Sequence, residues 1–234
     1  MLMIAMMIIS IGALMHRAVT YYKHEPWEEY LTLIGNIELN SRRLVELSLA
    51  NYTNTPNQTN PNILKNNLEK WQTDLLRIYP GREIVLTHNS LGLNYSWFLP
   101  KSFSTAKATF TLNIASIGLT GYNFTAVAFL NLTLLDALWY EDNNVGVRLT
   151  VKEEGPTLVT NLEEANFVLF QVNGTDRTFS FHRYYDTKTY NSTVYELRYN
   201  AGSSKPSAIT VKITIVDLRG IKVTGEAVLT VKDA

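Results

Sequence analysis

The sequence predicts an α+β protein, in which a long N-terminal helix, hydrophobic at first and amphipathic later, precedes an antiparallel β-sandwich head of immunoglobulin-like type. Three patterns predict this fold class: an apolar run over residues 1–15, a helical spacing of apolar residues up to residue 50, and a two-residue period from Arg82 onward. With 234 residues and 46% apolar content, the chain can bury one full core.

The first segment, residues 1–22, is nearly pure hydrocarbon and is interrupted only by Ser10 and Gly12 before His16. A run this apolar must meet lipid, be cleaved off or be buried against other chains. A spanning helix needs about 20 mostly apolar residues, so the run is a marginal span. A secretory signal peptide is disfavoured, because no charge precedes Leu2 and no small-x-small cleavage site follows the run.

Residues 23–50 continue as an amphipathic helix, because apolar side chains recur every three or four positions and charged side chains take most of the other face. The apolar face comprises Trp27, Leu31, Ile34, Ile37, Leu44, Val45 and Ser48. Pro26 lacks a backbone N–H, so a kink or a restart is expected near residues 24–26. Residues 51–62 form a polar linker, and a second helix is expected over residues 63–79. Its apolar stripe comprises Leu64, Leu68, Trp71, Leu75 and Ile78.

The remaining residues, 80–234, form the predicted β-sandwich head. Polar and apolar residues alternate in several segments, which is typical of half-buried strands. The clearest segments are 109–114, 145–152 and 209–215. Residues 167–172, the pair Asn173-Gly174 and residues 178–182 predict a tight hairpin. A further turn is expected at residues 217–220, between two closing strands.

Composition excludes several classes of function. The formal net charge is zero, so no basic surplus exists to neutralise phosphates, and nucleic acid is not an expected partner. Without cysteine, the chain has no disulfide, thiolate metal site or cysteine nucleophile, and it lacks the cysteine pair of true immunoglobulin domains. The four histidines have no ligand spacing, and no nucleophile elbow, Walker A loop or dinucleotide fingerprint occurs. The sequence therefore predicts no enzyme activity, no cofactor and no metal site.

Carboxylates in two adjacent pairs and one loop are the remaining candidates for chemistry. Neighbouring strand residues point to opposite faces, so neither residues 153–154 nor residues 163–164 make an acid/base dyad. Residues 141–144 (Glu-Asp-Asn-Asn) offer oxygen ligands to calcium, but they lack the spacing and glycine of an EF-hand loop, and a hairpin turn is favoured. Tyrosine and tryptophan in the strands are expected to be packing residues instead of a carbohydrate platform.

Location is indicated by seven N-glycosylation sequons, Asn-X-Ser/Thr with X not proline. They begin at Asn51, Asn57, Asn94, Asn123, Asn131, Asn173 and Asn191. Asn and Thr are common in this chain, and composition alone can generate such tripeptides. Asn131 is the most informative, because it alternates with Leu130 and Leu132 and should face solvent from within a strand. Together with the apolar N-terminus, the sequons predict that the part of the chain that carries them lies outside the cytoplasm and can carry N-linked glycans.

The apolar run, the pair Tyr21-Tyr22, the amphipathic segment and the Asn/Thr-rich β head with sequons together resemble the archaeal type IV pilin-like surface proteins. The likeness is strongest over the first fifty residues. In that family the hydrophobic segments of many subunits bundle into a filament core, and β heads, often glycosylated, cover the outside. The resemblance therefore implies a polymer core formed by Leu2, Ile4, Met7, Ile8, Ile9, Ile11, Leu14, Val19 and Tyr22.

The family's short charged leader does not precede Leu2, so the resemblance implies that the sequence starts at a processed or internal position. The lost leader also accounts for the positive charges of Arg17 and Lys23 on the unexpected flank, since the leader is where the family keeps its inner positive charge.

The leading hypothesis is a structural subunit, a pilin, of an extracellular cell-surface filament used for adhesion. Its partners would be other copies of the chain, the membrane before assembly and N-linked glycans. The alternative is a membrane-anchored, glycosylated surface adhesin or binding module with a single span. For a third class, a secreted β-sandwich glycosidase, the sequence nominates no pair of carboxylates.

Overall fold

The computed structural model of the chain describes residues 27–55, 60–154 and 161–234. Within these ranges two helices precede ten strands, and strands take up 52% and helices 25% of the residues. The helices are α1 (Trp27–Asn54) and α2 (Ile63–Ile78). The strands are β1 (Ile84–Ser96), β2 (Lys101–Ile114), β3 (Leu119–Trp139), β4 (Asn144–Lys152), β5 (Phe167–Val172), β6 (Thr175–Asp176), β7 (Ser180–Asp186), β8 (Ser192–Asn200), β9 (Ala208–Val216) and β10 (Lys222–Asp233). The chain forms two compact units, Met1–Asn40 and Ser41–Ala234, and their boundary falls within α1.

Helix α2 forms because its apolar residues share one face. Leu64, Leu68 and Leu75 are at most 2% exposed, whereas Ile78 is 55% exposed. The helix ends at Tyr79, whose N–H donates a hydrogen bond of 3.0 Å to the carbonyl of Leu75. The predicted stripe is therefore confirmed for its three leucines, and its last member, Ile78, lies at the surface.

In the second unit, the C-terminal half of α1 packs against α2 through two small, buried serines. Nδ2 of Asn67 donates a hydrogen bond of 2.9 Å to Oγ of Ser48, and the indole Nε1 of Trp71 donates one of 3.2 Å to Oγ of Ser41. In the first unit, Leu31 is 66% exposed, so the apolar face predicted for this helix is wrong at that position.

The ten strands of the described ranges belong to one connected sheet. Its order is β6-β5-β9-β10-β3-β4-β8-β7, while β2 also pairs with β3 and β1 pairs with β2. Strand β10 pairs antiparallel with β9 through residues 222–230 and parallel with β3 through residues 231–233. Because β10 is 12 residues long, its beginning and its end have different neighbours. The parallel pairing ties the β5–β9 side of the sheet to the β3–β4 side.

Aromatic side chains from β5, β7 and β8 meet in one part of the core, although these strands lie toward opposite ends of the sheet order. The ring of Phe167 on β5 lies 6.0 Å from that of Tyr195 on β8 and 5.4 Å from that of Phe181 on β7. The turn between β9 and β10 is held against the end of α1. There, Oγ1 of Thr53 accepts a hydrogen bond of 3.1 Å from the N–H of Lys222.

The predicted fold class is wrong. The described residues form a β-rich chain with one connected sheet, and not a long apolar N-terminal helix with an antiparallel, immunoglobulin-like sandwich. Helix α1 is 28 residues long but carries charged residues on its surface, and no helix within the described ranges is apolar enough to cross a membrane. Alternation in β10 predicted a strand, but it could not predict that the strand pairs parallel with β3. The predicted hydrophobic segment 1–22 and the kink at residues 24–26 lie outside the described residues.

The predicted strand alternation is confirmed where it was clearest. Phe110, Leu112 and Ile114 on β2 are at most 1% exposed, and the polar residues between them are half-buried. On β4 the four predicted apolar residues are also buried: Val145, Val147, Leu149 and Val151. Thr150, on the opposite face of β4, is buried as well, because β4 lies between β3 and β8. Asn131 is half-exposed between the buried Leu130 and Leu132, as expected.

The predicted hairpin at residues 167–182 is only partly correct. Asn173 (φ 51°) and Gly174 (φ 76°) form the tight turn, since both adopt the left-handed conformation that such turns need. Its second strand, however, is the short β6, and residues from Ser180 onward pair with β8 instead of β5. The turn at residues 217–220 is confirmed by hydrogen bonds between Asp217 and Gly220 (2.9 Å) and between Asp217 and Ile221 (3.0 Å).

Candidate functional site

Histidine does not build a metal or catalytic site in the part of the chain that the structure describes. His88 is half-buried on β1, and the exposed His182 on β7 lies with Nε2 3.3 Å from Oγ of Ser180. No group of three or more His, Asp or Glu side chains in residues 27–55, 60–154 and 161–234 is arranged to hold a metal ion. His16 and His24 lie outside these ranges.

Residues 141–144, where the sequence favours a hairpin turn over a calcium site, form the turn between β3 and β4. Asn143 adopts a left-handed conformation (φ 63°), and its N–H donates a hydrogen bond of 3.1 Å to the carbonyl of Tyr140. Both carboxylate oxygens of Asp142 accept hydrogen bonds from Asn144, one from the backbone N–H (3.3 Å) and one from Nδ2 (2.7 Å). The carboxylate of Asp142 is thus bonded within the turn itself.

The pair Glu153-Glu154 lies beyond the end of β4, so the two side chains are not held on opposite faces of a strand. Both reach Arg219, at 3.8 Å from Glu153 and 2.6 Å from Glu154. Arg219 also pairs with Asp217 (2.7 Å) and lies 3.9 Å from Glu46 on α1. Burial, followed by the neighbouring carboxylates, raises the pKa values of Glu46 and Glu153 despite the attraction of Arg219. This cluster joins α1 to the β9–β10 turn.

A second ion pair joins β3, β4 and the turn before β8. Arg148 donates a hydrogen bond of 2.6 Å from Nε to Asp136, and the hydroxyl of Tyr190 donates one of 3.0 Å to the same carboxylate. Burial acts to raise the pKa of Asp136, but these hydrogen bonds and the charge of Arg148 outweigh it and hold the pKa below its ordinary value. The side chains of the pair are 15% and 10% exposed, so the site is mainly structural.

A third network surrounds the buried carboxylate of Glu196, which is 1% exposed on β8. Its Oε1 accepts hydrogen bonds from the hydroxyl of Tyr140 (2.6 Å) and from Nε of Arg198 (2.7 Å). The guanidinium of Arg198 also lies over the ring of Tyr140, 4.0 Å from its centre. Burial, followed by the bond to the carboxylate, raises the pKa of Tyr140 to about 12.

The sequon asparagines within the described residues lie at the surface. Five are exposed and one, on β3, is half-exposed. The exposed ones are Asn51, Asn94, Asn123, Asn173 and Asn191, and the half-exposed one is Asn131. They occur on α1, β1, β3, the β5–β6 turn and the β7–β8 turn, so they are spread over several elements of the fold. Asn57 lies outside the described residues.

Five of these asparagines are oriented by a hydrogen bond to the amide oxygen. The donors to Oδ1 are the N–H of Tyr95 for Asn94 (2.8 Å), the hydroxyl of Thr111 for Asn123 (2.7 Å), the hydroxyl of Thr133 for Asn131 (3.1 Å), the N–H of Thr210 for Asn173 (2.8 Å) and the hydroxyl of Tyr185 for Asn191 (3.1 Å). In each case Nδ2, the atom to which an N-linked glycan is attached, has no hydrogen-bond partner among the described residues. The glycan-accepting nitrogen of these five side chains is therefore not tied to another described residue.

The second surface feature is a groove of about 300 Å³, which we call the aromatic groove. It lies between the connection that follows β1 and the outer faces of β5, β9 and β10. It is lined by Trp97, Phe98, Val168, Leu169, Lys212, Thr214, Lys222 and Thr224. The rings of Trp97 and Phe98 are 6.4 Å apart and nearly perpendicular, and Phe98 is 52% exposed.

Backbone pairing along β10 holds the two rings of the aromatic groove in place. The N–H of Phe98 donates a hydrogen bond of 2.9 Å to the carbonyl of Thr224, and Leu99 forms a parallel bridge with Gly225. The indole Nε1 of Trp97 donates a bond of 2.9 Å to a serine hydroxyl of β2. Phe98 has φ 62°, a conformation that a bulky residue adopts only under strain.

Two lysines flank these rings. Nζ of Lys212 lies 4.9 Å from the centre of the Phe98 ring, and Nζ of Lys222 lies 5.7 Å from that of Trp97. Neither lysine takes part in an ion pair within the described ranges, although Glu226 is the strand neighbour of Lys212. The aromatic groove therefore combines apolar rings with positive charge, a pairing suited to an anionic ligand with an apolar face.

The residues predicted to form a polymer core lie outside the part of the chain that the structure describes. They are Leu2, Ile4, Met7, Ile8, Ile9, Ile11, Leu14, Val19 and Tyr22. Comparison of the chain with family models, characterised proteins and solved structures finds no match.

Sequence reasoning missed the aromatic groove because its rings do not lie within a strand. The segment Trp97-Phe98-Leu99 connects β1 to β2, where polar turn residues are the norm. Three large apolar residues in such a connection are the signal that could have identified it. The lysines could not be assigned from sequence, because β9 and β10 are more than 100 residues from Trp97 along the chain.

Proposed function

We propose that this chain is a structural subunit, a pilin, of an extracellular filament of the archaeal type IV pilin-like kind, and that the filament serves attachment. The observation that carries the proposal is the surface position of every described sequon asparagine, five of which are oriented by a hydrogen bond to the amide oxygen. A body that is accessible to glycans on so many of its elements is suited to the outside of a cell.

The apolar segment supplies the means of assembly. Residues 1–15 contain about a dozen large apolar side chains, and burying each one against neighbouring subunits contributes about 1.5 to 3 kcal/mol. The summed free energy of this burial reaches tens of kcal/mol per subunit before the entropic cost of association is subtracted, so the polymer would hardly dissociate. The contact is head to tail, and a rotation that does not close produces a helical filament instead of a ring. Before assembly the same segment would be held in the membrane.

The decisive test is a substitution of Ile8 and Ile9 by Asp in the full chain. Charged side chains in the filament core should abolish filaments in electron micrographs of material sheared from cells, while the body stays folded by circular dichroism. Substitution of the same two residues by Val keeps them apolar and should leave the filaments intact. Normal filaments from the double Asp variant would refute the proposal.

Glycosylation is tested on the same sheared material. Mass spectrometry of proteolytic peptides should find glycan mass on the peptides that contain Asn123 and Asn173, and an Asn→Gln change at either position should remove it. Fractions in which all sequon peptides have their unmodified mass would contradict the proposed role of the sequons. The N-terminal peptide in the same spectra reports where the assembled chain begins.

The second candidate function is a membrane-anchored surface adhesin or binding module with a single span. The aromatic groove favours it, because a preformed groove with exposed rings is more typical of a binding module than of a purely structural subunit. Deletion of residues 1–25 should then release a soluble monomer from membranes, and the intact chain should partition with detergent-extracted membranes. A sheared filament fraction dominated by this chain would exclude this candidate.

A further inference from the structure

We propose that the aromatic groove binds an acidic carbohydrate, one or two units of a polysaccharide that carries carboxylate groups. The aromatic groove would be the site by which the proposed filament attaches, so its biological role rests on the proposed function. The binding itself depends only on described residues of the second unit, so it can be tested on unassembled chains.

Phe98 adopts a strained backbone conformation in the lining of the aromatic groove. A phenylalanine with φ 62° carries backbone strain that a glycine in its place would not, and its ring is half-exposed instead of buried. The ring is then fixed by the backbone bond to Thr224, and its neighbour Trp97 is fixed through its indole nitrogen. Rings that are already ordered lose little conformational freedom when a ligand binds.

Two lysines give the aromatic groove positive charge. Lys212 and Lys222 lie beside the two rings without an ion pair in the described ranges, and both are half-buried. A ligand carboxylate beside either lysine would gain charge-assisted hydrogen bonds, while Glu226 next to Lys212 moderates the attraction. The geometry therefore favours an acidic ligand over a neutral one.

The buried threonine pair of the aromatic groove has an unused hydrogen-bond donor. The hydroxyls of Thr214 and Thr224 are 2.9 Å apart, are at most 4% exposed and bond to each other. Two hydroxyls joined by one hydrogen bond have two protons and use one of them. The second proton has no acceptor among the described residues, and a ligand hydroxyl or carboxylate oxygen can accept it.

The surroundings of the aromatic groove disfavour a peptide strand and nucleic acid as its ligand and favour a sugar. Strand β9 is paired on both edges, with β5 and β10, so an extended peptide cannot add to it as a further strand. Nucleic acid is disfavoured by the zero net charge of the chain. The C–H faces of a sugar ring suit aromatic side chains, and a volume of about 300 Å³ is at the small end for ligand pockets. These properties fit one or two acidic sugar units.

The test measures binding of tetragalacturonate to the full chain, held unassembled in a neutral detergent, by isothermal titration calorimetry at low salt. Binding should be at least tenfold tighter than that of the neutral tetragalactose, and it should weaken as salt is added. Lys212→Gln and Lys222→Gln should each weaken binding severalfold. Lys188→Gln, which removes an exposed lysine from the β7–β8 turn, is the matched control and should leave binding unchanged.

Phe98→Gly separates binding from folding. Glycine accepts the positive φ without strain, which offsets part of the packing lost with the half-exposed ring, so the variant should remain folded by circular dichroism at the temperature of the titration, yet bind tetragalacturonate at least tenfold more weakly. Unchanged binding in this variant, equal binding of the neutral sugar, tighter binding of polyglutamate, or no binding at all would each overturn the inference. None of these results depends on filament formation, which the Ile8 and Ile9 variants test separately.

Discussion

Gly146 on β4 lies against the buried carboxylate of Glu196, and an added methyl group would displace that carboxylate. A Cβ at this position falls 2.9 Å from the carboxyl carbon of Glu196, 2.9 Å from the ring of Tyr140, and closer still to Oε1. Glu196 is 1% exposed, so it cannot move aside without losing its hydrogen bonds from Tyr140 (2.6 Å) and Arg198 (2.7 Å). Gly146→Ala therefore leaves a buried charge with broken bonds.

Breaking a buried charged pair costs about 3 to 5 kcal/mol. In a chain of this size, that corresponds to a fall of about 6 to 20 °C in Tm. Urea unfolding of the full chain in a neutral detergent, followed by circular dichroism, measures the loss. The matched control is Gly92→Ala on β1, where a Cβ meets no atom within 4 Å, and its effect should stay within about 0.5 kcal/mol.

Two further measurements identify the cause of the loss. In the background of Glu196→Ala the carboxylate is gone, so Gly146→Ala should cost much less than in the wild type. In the single variant, the pKa of Tyr140 should fall below its value of about 12 because the bond to Glu196 is lost, while burial still holds it above the ordinary value, as followed by NMR of labelled tyrosine. If Gly146→Ala costs no more than Gly92→Ala, or costs the same in both backgrounds, the reasoning is refuted.

Two predictions concern pH, and both use the same unfolding assay. Asp136→Asn should cost about 3 kcal/mol at pH 6 because it breaks a largely buried pair with Arg148. The pKa of Asp136 is lowered in the fold, so its carboxylate stabilises the fold fully above the ordinary pKa of 3.8 and loses this effect as the pH falls further. The difference in unfolding free energy between the variant and the wild type should therefore shrink below pH 3.8, and a difference that stays constant would contradict this. The pKa of Glu46 is raised instead, so Glu46→Gln should stabilise the fold at pH 7, by less than about 1 kcal/mol, and the gain should vanish below pH 4.5. A loss of stability at pH 7 would show that attraction to Arg219 outweighs burial.

Local order was well predicted from the sequence, because it depends on side chains that are close along the chain. The leucine stripe of α2, the alternation in β2 and the tight turn at Asn173 and Gly174 all follow from spacing or from residue type. The surface position of Asn131 followed from the same two-residue period. The sequons were also visible in the sequence, although their hydrogen bonds were not.

Which strands pair with each other, and which distant side chains meet on their faces, was decided by the tertiary structure alone. Strand β10 runs parallel to β3 at residues 231–233, and β7 pairs with β8 instead of β5, so the predicted sandwich was wrong. The aromatic groove joins Phe98 to lysines of β9 and β10, and Glu153 and Glu154 meet at Arg219. The physical reason is that periodicity records which side of a strand is buried. It does not record which strand lies beside it, because that choice is made by contacts between residues far apart in the chain.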